Sequence, residues 1–228
     1  MLADADLAAV AALMGEGNRA SMLLALLGGD ELPARALAAR AGVSSSLASA
    51  HLGKLTDGGL LVAERRGRNR YYRLADRHIA AAIEALLAIA PERRARSLRE
   101  SSRGEAIRHA RTCYDHLAGE LGVALTDSLL RAGLIGPQEE GYSLTHAGRQ
   151  RLNAFGIDVD DLRSRPRALT RPCLDWTERR PHLAGSLGAA LAARLFELDW
   201  IRRRPDTRAV NITGDGHRQL RAQLAINL

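Results

Sequence analysis

Residues 43–61, VSSSLASAHLGKLTDGGLL, contain the start, body and stop of one short helix, and no other stretch restricts the fold as much. Val43 before Ser44 places an apolar residue ahead of an N-cap hydroxyl, which accepts from an orphan amide of the first turn. Leu47, Ala48, Leu52 and Leu55 recur at helical spacing and predict a narrow inward stripe. Gly58-Gly59 ends the helix, and Leu60-Leu61-Val62 opens an apolar strand. The outward positions Ser45, Ser46, Ser49, Ala50, Gly53 and Lys54 are small or polar, so this side can approach another surface closely.

Residues 60–74, LLVAERRGRNRYYRL, read as a β-hairpin around Gly67-Arg68-Asn69. Its tip gathers Arg65, Arg66, Arg68 and Arg70 against the single acid Glu64, and like charges packed so closely repel unless an anion is near. Upstream, residues 32–41 predict a helix with Pro33 in its first turn and Leu37 on its inner face. Ala41-Gly42-Val43 is then the corner of a helix-turn-helix. Helix, turn, helix and basic hairpin make a winged helix, and a DNA major groove is wide enough to admit the second helix.

The run SSSLASAHLGKLTDGGLL resembles the recognition helix of the ArsR/SmtB repressors at Ser44, Ser46, Ser49, His51-Leu52, Leu55 and Gly59-Leu60. RRGRNRYYRLADRH is similar to the family's wing and the start of its last helix, so the likeness covers roughly residues 1–90. The resemblance implies a homodimeric repressor that leaves its operator when an effector binds, with the first and last helices at the dimer interface. One family metal site uses cysteines before the recognition helix, and residues 35–40 contain none. Another, on the last helix, is matched by Asp76, His78 and Glu92, but Ile89 stands where its second His belongs. Three ligands are one short of what zinc takes, so Asp76 reads as a helix cap and His78 as surface.

At 228 residues the chain exceeds one winged helix, and 46% hydrophobic residues suffice for a sizeable core. The net charge of +7 favours polyanionic partners over membranes, and Lys54 is the sole lysine in an otherwise arginine-supplied total. There is no secretory h-region and no apolar run of membrane-spanning length. Two cysteines, Cys113 and Cys173, are too few for a disulfide scaffold and fit a reducing cytoplasm. In chain order, residues 2–14 and 20–27 predict two helices, and residues 76–90 a third with Ile79, Ile83, Leu86, Leu87 and Ala90 on one stripe. The charged, Ser-bearing residues 91–103 read as a linker that can itself be helical.

The C-terminal half repeats itself. HLAGELGVAL at 116–125 returns as HLAGSLGAAL at 182–191, an offset of 66, and the Leu/Ile-Thr-x-x-Gly blocks at 144–148 and 212–216 are offset by 68. Cys113-x-Asp115 is echoed by Cys173-x-Asp175. Shared spacing over three blocks predicts a tandem duplication, about 104–160 and 171–228, each unit helix, helix, hairpin, helix and wing-like in outline. The second helices lack a small polar face; the first hairpin tip is acidic at Glu139-Glu140, and the second is basic at Arg202-Arg203-Arg204. These units therefore read as an effector or dimer platform, with DNA contact by the basic tip as the alternative.

The dissimilar stretch 171–182, RPCLDWTERRPH, concentrates chemistry: Cys173, Asp175, Trp176, Arg179 and His182. A pseudo-twofold pairing would converge Cys113, His116, Cys173 and His182, with Cys-x-x-His at 113–116 on one helical face as a pair for a soft metal. An oxidisable thiol pair, an anionic aromatic ligand held by Arg179 and Trp176, and plain packing of free thiols remain alternatives. A Cys/His nucleophilic enzyme is the reading from another class, but no nucleophile elbow, phosphate-cradling loop or complete metal motif accompanies these residues.

The expected fold is mainly α with small β-hairpins: a winged helix over residues 1–90, a linker over 91–103 and an effector domain over 104–228. The expected function is a cytoplasmic, homodimeric, DNA-binding repressor rather than an enzyme, with an architectural DNA binder as the alternative. Ser44, Ser45, Ser46, Ser49, His51, Lys54, Arg65, Arg66, Arg68, Asn69 and Arg70 are the expected DNA contacts, and His51 has inward packing as its alternative. A soft metal ion or a small molecule is the expected effector.

Overall fold

The structure, a computed structural model, describes residues 5–91, 94–95, 97–139 and 141–228. Glu92, Glu140 and the beginning of the helix expected over 2–14 lie outside the described residues. The chain forms two compact units, Met1–Ile83 and Glu84–Leu228. No helix among the described residues is long and apolar enough to cross a membrane.

The first unit opens with α1 (Leu7–Gly15) and α2 (Gly17–Leu26), joined at Glu16, whose carboxylate accepts from the Asn18 and Arg19 amides and caps α2. β1 (Leu32–Pro33) then pairs antiparallel with Tyr72 and Tyr71, so Leu32 and Pro33 belong to a strand rather than to the expected helix. α3 (Ala34–Ala41) ends at Gly42, whose φ of +69° is the left-handed cap that glycine supplies cheaply. α4 (Ser45–Asp57) follows the tight corner, and β2 (Leu61–Arg66) and β3 (Asn69–Leu74) form the wing, in sheet order β1-β3-β2. α5 (Arg77–Ile89) starts on Asp76, which accepts from the His78 and Ile79 amides as a cap. Met22, Leu23, Leu26, Leu37, Leu52, Leu55 and Leu74 close the core of this unit.

The second unit carries one element order twice. The first pass is α6 (Leu98–His109), the hairpin β4 (Arg111–Cys113) and β5 (His116–Ala118), α7 (Gly119–Arg131), the hairpin β6 (Ile135–Gln138) and β7 (Gly141–Leu144), then α8 (His146–Ala154). The second is α9 (Val159–Ser164), the hairpin β8 (Arg171–Leu174) and β9 (Pro181–Ala184), α10 (Gly185–Glu197), the hairpin β10 (Ile201–Arg203) and β11 (Val210–Ile212), then α11 (Gly214–Leu224). Matching details recur. Thr145 Oγ1 donates to the carbonyls of Gly133 and Leu134 and accepts from Gly148 N–H; Thr213 does the same with Asp199, Trp200 and Gly216.

The order is helix, hairpin, helix, hairpin, helix, not the expected helix, helix, hairpin, helix. A hairpin stands where the first helix of a helix-turn-helix would be, so the winged likeness is confined to the second hairpin. The physical reason is burial. His116, Leu117 and Ala118 are all buried, so this short run is enclosed on both faces and lacks the polar side that an amphipathic helix needs. α7 packs against β9, α10 against β5, and β4 borrows a partner from the other pass through Thr112 N–H to Arg208 O and the Arg111–Ala209 bridge. One core containing Leu121, Leu129, Leu187, Leu195 and Trp200 spans both passes.

Candidate nucleic-acid interface and a buried thiol–imidazole cluster

α4 is built to be presented. Ser44 caps it by accepting from Leu47 N–H at 3.3 Å, and Ala48, Leu52 and Leu55 anchor its inner side. Ser45, Ser46, Ser49 and Lys54 are exposed. The wing turns at Gly67-Arg68, where a φ of +61° at Gly67 suits the tight connection between Arg66 and Asn69. Arg65, Arg66, Arg68, Asn69 and Arg70 are all exposed. Ser45 and Ser49 from α4 line one open cleft with Arg68, Asn69 and Arg70 from the wing. Arg35, at the start of α3, completes its rim and adds a cation.

Within the second unit, the hairpins place a cysteine directly across from a histidine twice: Cys113 opposite His116, and Cys173 opposite His182. The two pairs meet. Cys113 Sγ lies 4.0 Å from Cys173 Sγ, His116 Nε2 lies 3.1 Å from His182 Nε2, and all four ligand atoms fall within 4.8 Å of one another. Cys113, His116 and His182 are buried, and Cys173 is partly exposed. Each imidazole turns its other nitrogen to a carboxylate: His116 Nδ1 to Asp115 at 3.3 Å and His182 Nδ1 to Asp175 at 3.3 Å.

Arginines hold those carboxylates in turn. Arg167 grips Asp115 through both terminal nitrogens, and the fully buried Arg111 donates to Asp175 at 3.0 Å. Burial raises the Asp115 carboxyl, but hydrogen bonds from His116 and Arg167 outweigh it and hold the group below the usual carboxylate range. For Asp175, burial is likewise overcome by His182, Arg111, Thr177 and the Gly119 amide. The two sulfurs are polarised oppositely: the bond to Cys173 and burial push the Cys113 thiol up, while Cys113, His116 and His182 favour the Cys173 thiolate despite burial.

Residues 14–64 match the family model described as a helix-turn-helix domain. The uncharacterised HTH-type transcriptional regulator YdfF of Bacillus subtilis is 43% identical over 211 residues, covering 92% of this chain and 93% of its own. The chain belongs to the family of HTH-type transcriptional regulators. The HTH-type transcriptional regulator CmtR of Mycobacterium tuberculosis is 37% identical over 86 residues, 38% of this chain and 72% of its own. The solution structure of the homodimeric winged helix-turn-helix domain Mb0332 from Mycobacterium bovis is 30% identical over 39% of this chain and 89% of its own, with a TM-score of 0.33. The chain is thus a DNA-binding transcriptional regulator.

Several residues of this regulator sit differently from expectation. His51 turns inward, its side chain only 12% exposed and its Nδ1 3.5 Å from Glu16, which removes it from the DNA-facing set. Leu47 is 45% exposed, because it falls one step off the stripe of Ala48, Leu52 and Leu55. Arg66 folds back onto Glu31 and Glu64 and is absent from the cleft lining, so two acids compete for it. Arg65 donates to Gly67 O at its own turn.

Cys113 and His116 face each other across a hairpin, not along a helix as the Cys-x-x-His spacing suggested. Trp176 and Arg179 do not form a joint pocket: Trp176 lies against the Arg111 guanidinium, whereas Arg179 donates to the Ala88 carbonyl. Asp175 is fully buried and accepts from Arg111, Thr177, Glu178 and Gly119, a positioning role rather than an open ligand site. Arg35 and the buried Arg111 escaped the sequence reading. Arg35 was detectable as a cation opening the helix before the turn, while nothing local marks Arg111 as buried.

Proposed function

We propose that this regulator is a cytoplasmic homodimeric repressor that grips operator DNA through α4 and the wing and leaves it when an effector engages the C-terminal domain. Residues 1–90 supply the DNA-binding and dimerisation domain, 91–103 the connection, and 104–228 a sensing domain that arose by tandem duplication. Ser45, Ser46, Ser49 and Lys54 reach the groove, while Arg68, Asn69 and Arg70, joined by Arg35, take phosphates; Ser44 starts the helix. Arg65 lies at the edge of this surface, and Arg66 must first release Glu31 and Glu64 to join it.

The observation that carries the proposal is the shared cleft: small side chains of α4 and the cationic wing tip open onto the same space. Arg68 and Arg70 have no acidic partner among the described residues, so their charge is available to an anion. Homodimerisation is supported by apolar side chains left exposed on α1, where Leu7 is 78% exposed, and on α5, where Ile89 is 81% exposed.

The test is titration of duplex DNA, selected from a random library on the wild-type protein, across a salt series. Arg68→Ala/Arg70→Ala should weaken binding to every duplex and lower the salt slope by about one for each arginine–phosphate pairing removed. Affinity and slope equal to wild type would refute the use of the wing.

A further inference from the structure

The DNA-binding reading leaves the chemistry at the join of the two C-terminal passes unused. Two sulfurs and two imidazole nitrogens converge there, a donor set suited to a borderline-soft d10 cation. With metal–nitrogen distances of about 2.0–2.1 Å and metal–sulfur distances of about 2.3 Å, a tetrahedron has nitrogen–nitrogen edges of ~3.3 Å and sulfur–sulfur edges of ~3.8 Å. The observed Nε2–Nε2 and Sγ–Sγ separations of 3.1 Å and 4.0 Å correspond to those two edges. The most distant pair lies within 4.8 Å, so about 1 Å of side-chain movement closes the set.

Orientation is the stronger reason. Asp115 hydrogen-bonds to His116 Nδ1, which directs that ring's proton away from the cluster, and Asp175 lies 3.3 Å from His182 Nδ1 on the side away from it. The two Nε2 atoms face each other at 3.1 Å in a buried place, where a cation between them would take a lone pair from each ring. A divalent ion held by two thiolates and two neutral imidazoles has no net charge, which suits the interior. Closing a Cys113–Cys173 disulfide would bring the sulfurs to about 2.05 Å and leave the facing nitrogens unpaired. The ligands are also arranged symmetrically: α7 abuts the strand of His182 at Gly122, and α10 abuts that of His116 at Gly188.

We propose that Cys113, His116, Cys173 and His182 form a closed tetrahedral site for one zinc-class divalent cation that clamps the two hairpins together, and that its occupancy is the signal sensed by the C-terminal domain. The signalling half rests on the effector reading above; the site itself does not. Asp115 and Asp175, with Arg167 and Arg111 behind them, act as positioning residues.

The test uses the full chain, reduced, stripped by chelator and dialysed against Zn(II) or Co(II). One metal per chain is expected, with Co(II) giving the visible bands of a tetrahedral thiolate site and both thiols shielded from thiol reagents. Cys113→Ser and His182→Gln should weaken binding by at least ~100-fold, while Asp115→Asn, which keeps all four ligands, should weaken it by about 10–100-fold. Tryptophan fluorescence and circular dichroism of the stripped forms verify that each variant is folded.

A folded wild-type chain that takes up no metal, or one whose sulfurs form a disulfide in the presence of Zn(II), overturns the site. In the second arm, Zn(II) should change affinity for the library-selected duplex at least tenfold in wild type but not in Cys113→Ser. Unchanged affinity with metal bound overturns the signalling half, whereas failure of both forms to bind duplex overturns the DNA-binding reading instead.

Discussion

Replacing Arg111 by Met tests whether the buried polar network holds the C-terminal unit together. The guanidinium is fully buried and donates to Asp175 Oδ1 at 3.0 Å, Thr177 Oγ1 at 3.1 Å and Ile107 O at 3.2 Å. Glu84, itself buried, lies 4.0 Å away and has Arg208 as its other cationic neighbour. Met fills much of the volume but strands the Asp175 carboxylate inside, and breaking a buried pair from one side costs about 3–5 kcal/mol. Asp175 still accepts from Gly119 N–H, Thr177 N–H, Thr177 Oγ1 and Glu178 N–H, which places the expected loss near 3 kcal/mol, the lower end of that range. For a domain of this size, that lowers Tm by roughly 6–12 °C.

Both tryptophans, Trp176 and Trp200, lie in the Glu84–Leu228 unit, so urea unfolding followed by tryptophan fluorescence in chelator reports on this unit directly. Asp175→Asn on the Arg111→Met background should recover part of the loss, because no bare charge is then buried. A loss below about 1 kcal/mol, or none recovered in the double variant, would show that the pair is not what holds the hairpins in register.

The remaining expectations concern packing and a cap. An added Cβ at Gly122 would lie 2.5 Å from Leu117 O, so Gly122→Ala should destabilise the C-terminal unit by about 1–3 kcal/mol in the same fluorescence assay. Gly53 has nothing within 4 Å of such a Cβ, so Gly53→Ala should instead stabilise α4 by about 0.5–1 kcal/mol, read by far-UV circular dichroism during unfolding. Glu16 is held below its ordinary value first by the Arg19 and Asn18 amides. Its contribution is therefore fully present above the normal carboxylate range and lost as pH falls through the depressed value. The difference in Tm between wild type and Glu16→Gln should be present at neutral pH and vanish in acid; a constant difference would refute the cap as its source.

Local signals carried the N-terminal half far. The Ser44 cap, the glycine corner at Gly42, the Gly58 stop and the Gly67 turn are each decided within a few residues, and α4 and the wing form where those signals place them. The same holds for the repeat: an offset in sequence becomes the same element order in space. Capture across long separations was not legible. Glu31 takes Arg66, Glu16 takes His51, and Arg111 finds Asp175, each pair distant along the chain.

The sequence alone determined that a slim capped helix and an arginine-rich hairpin would follow a helix-turn-helix corner, and that two related units would follow those. Only the tertiary structure decided that residues 116–118 form a strand, because complete enclosure, not periodicity, selects the pairing there. From that one choice comes the register that sets each cysteine across from a histidine and brings the two pairs together. Periodicity records which side of an element is apolar; it does not record which element will cover it, and the cluster depends on that covering.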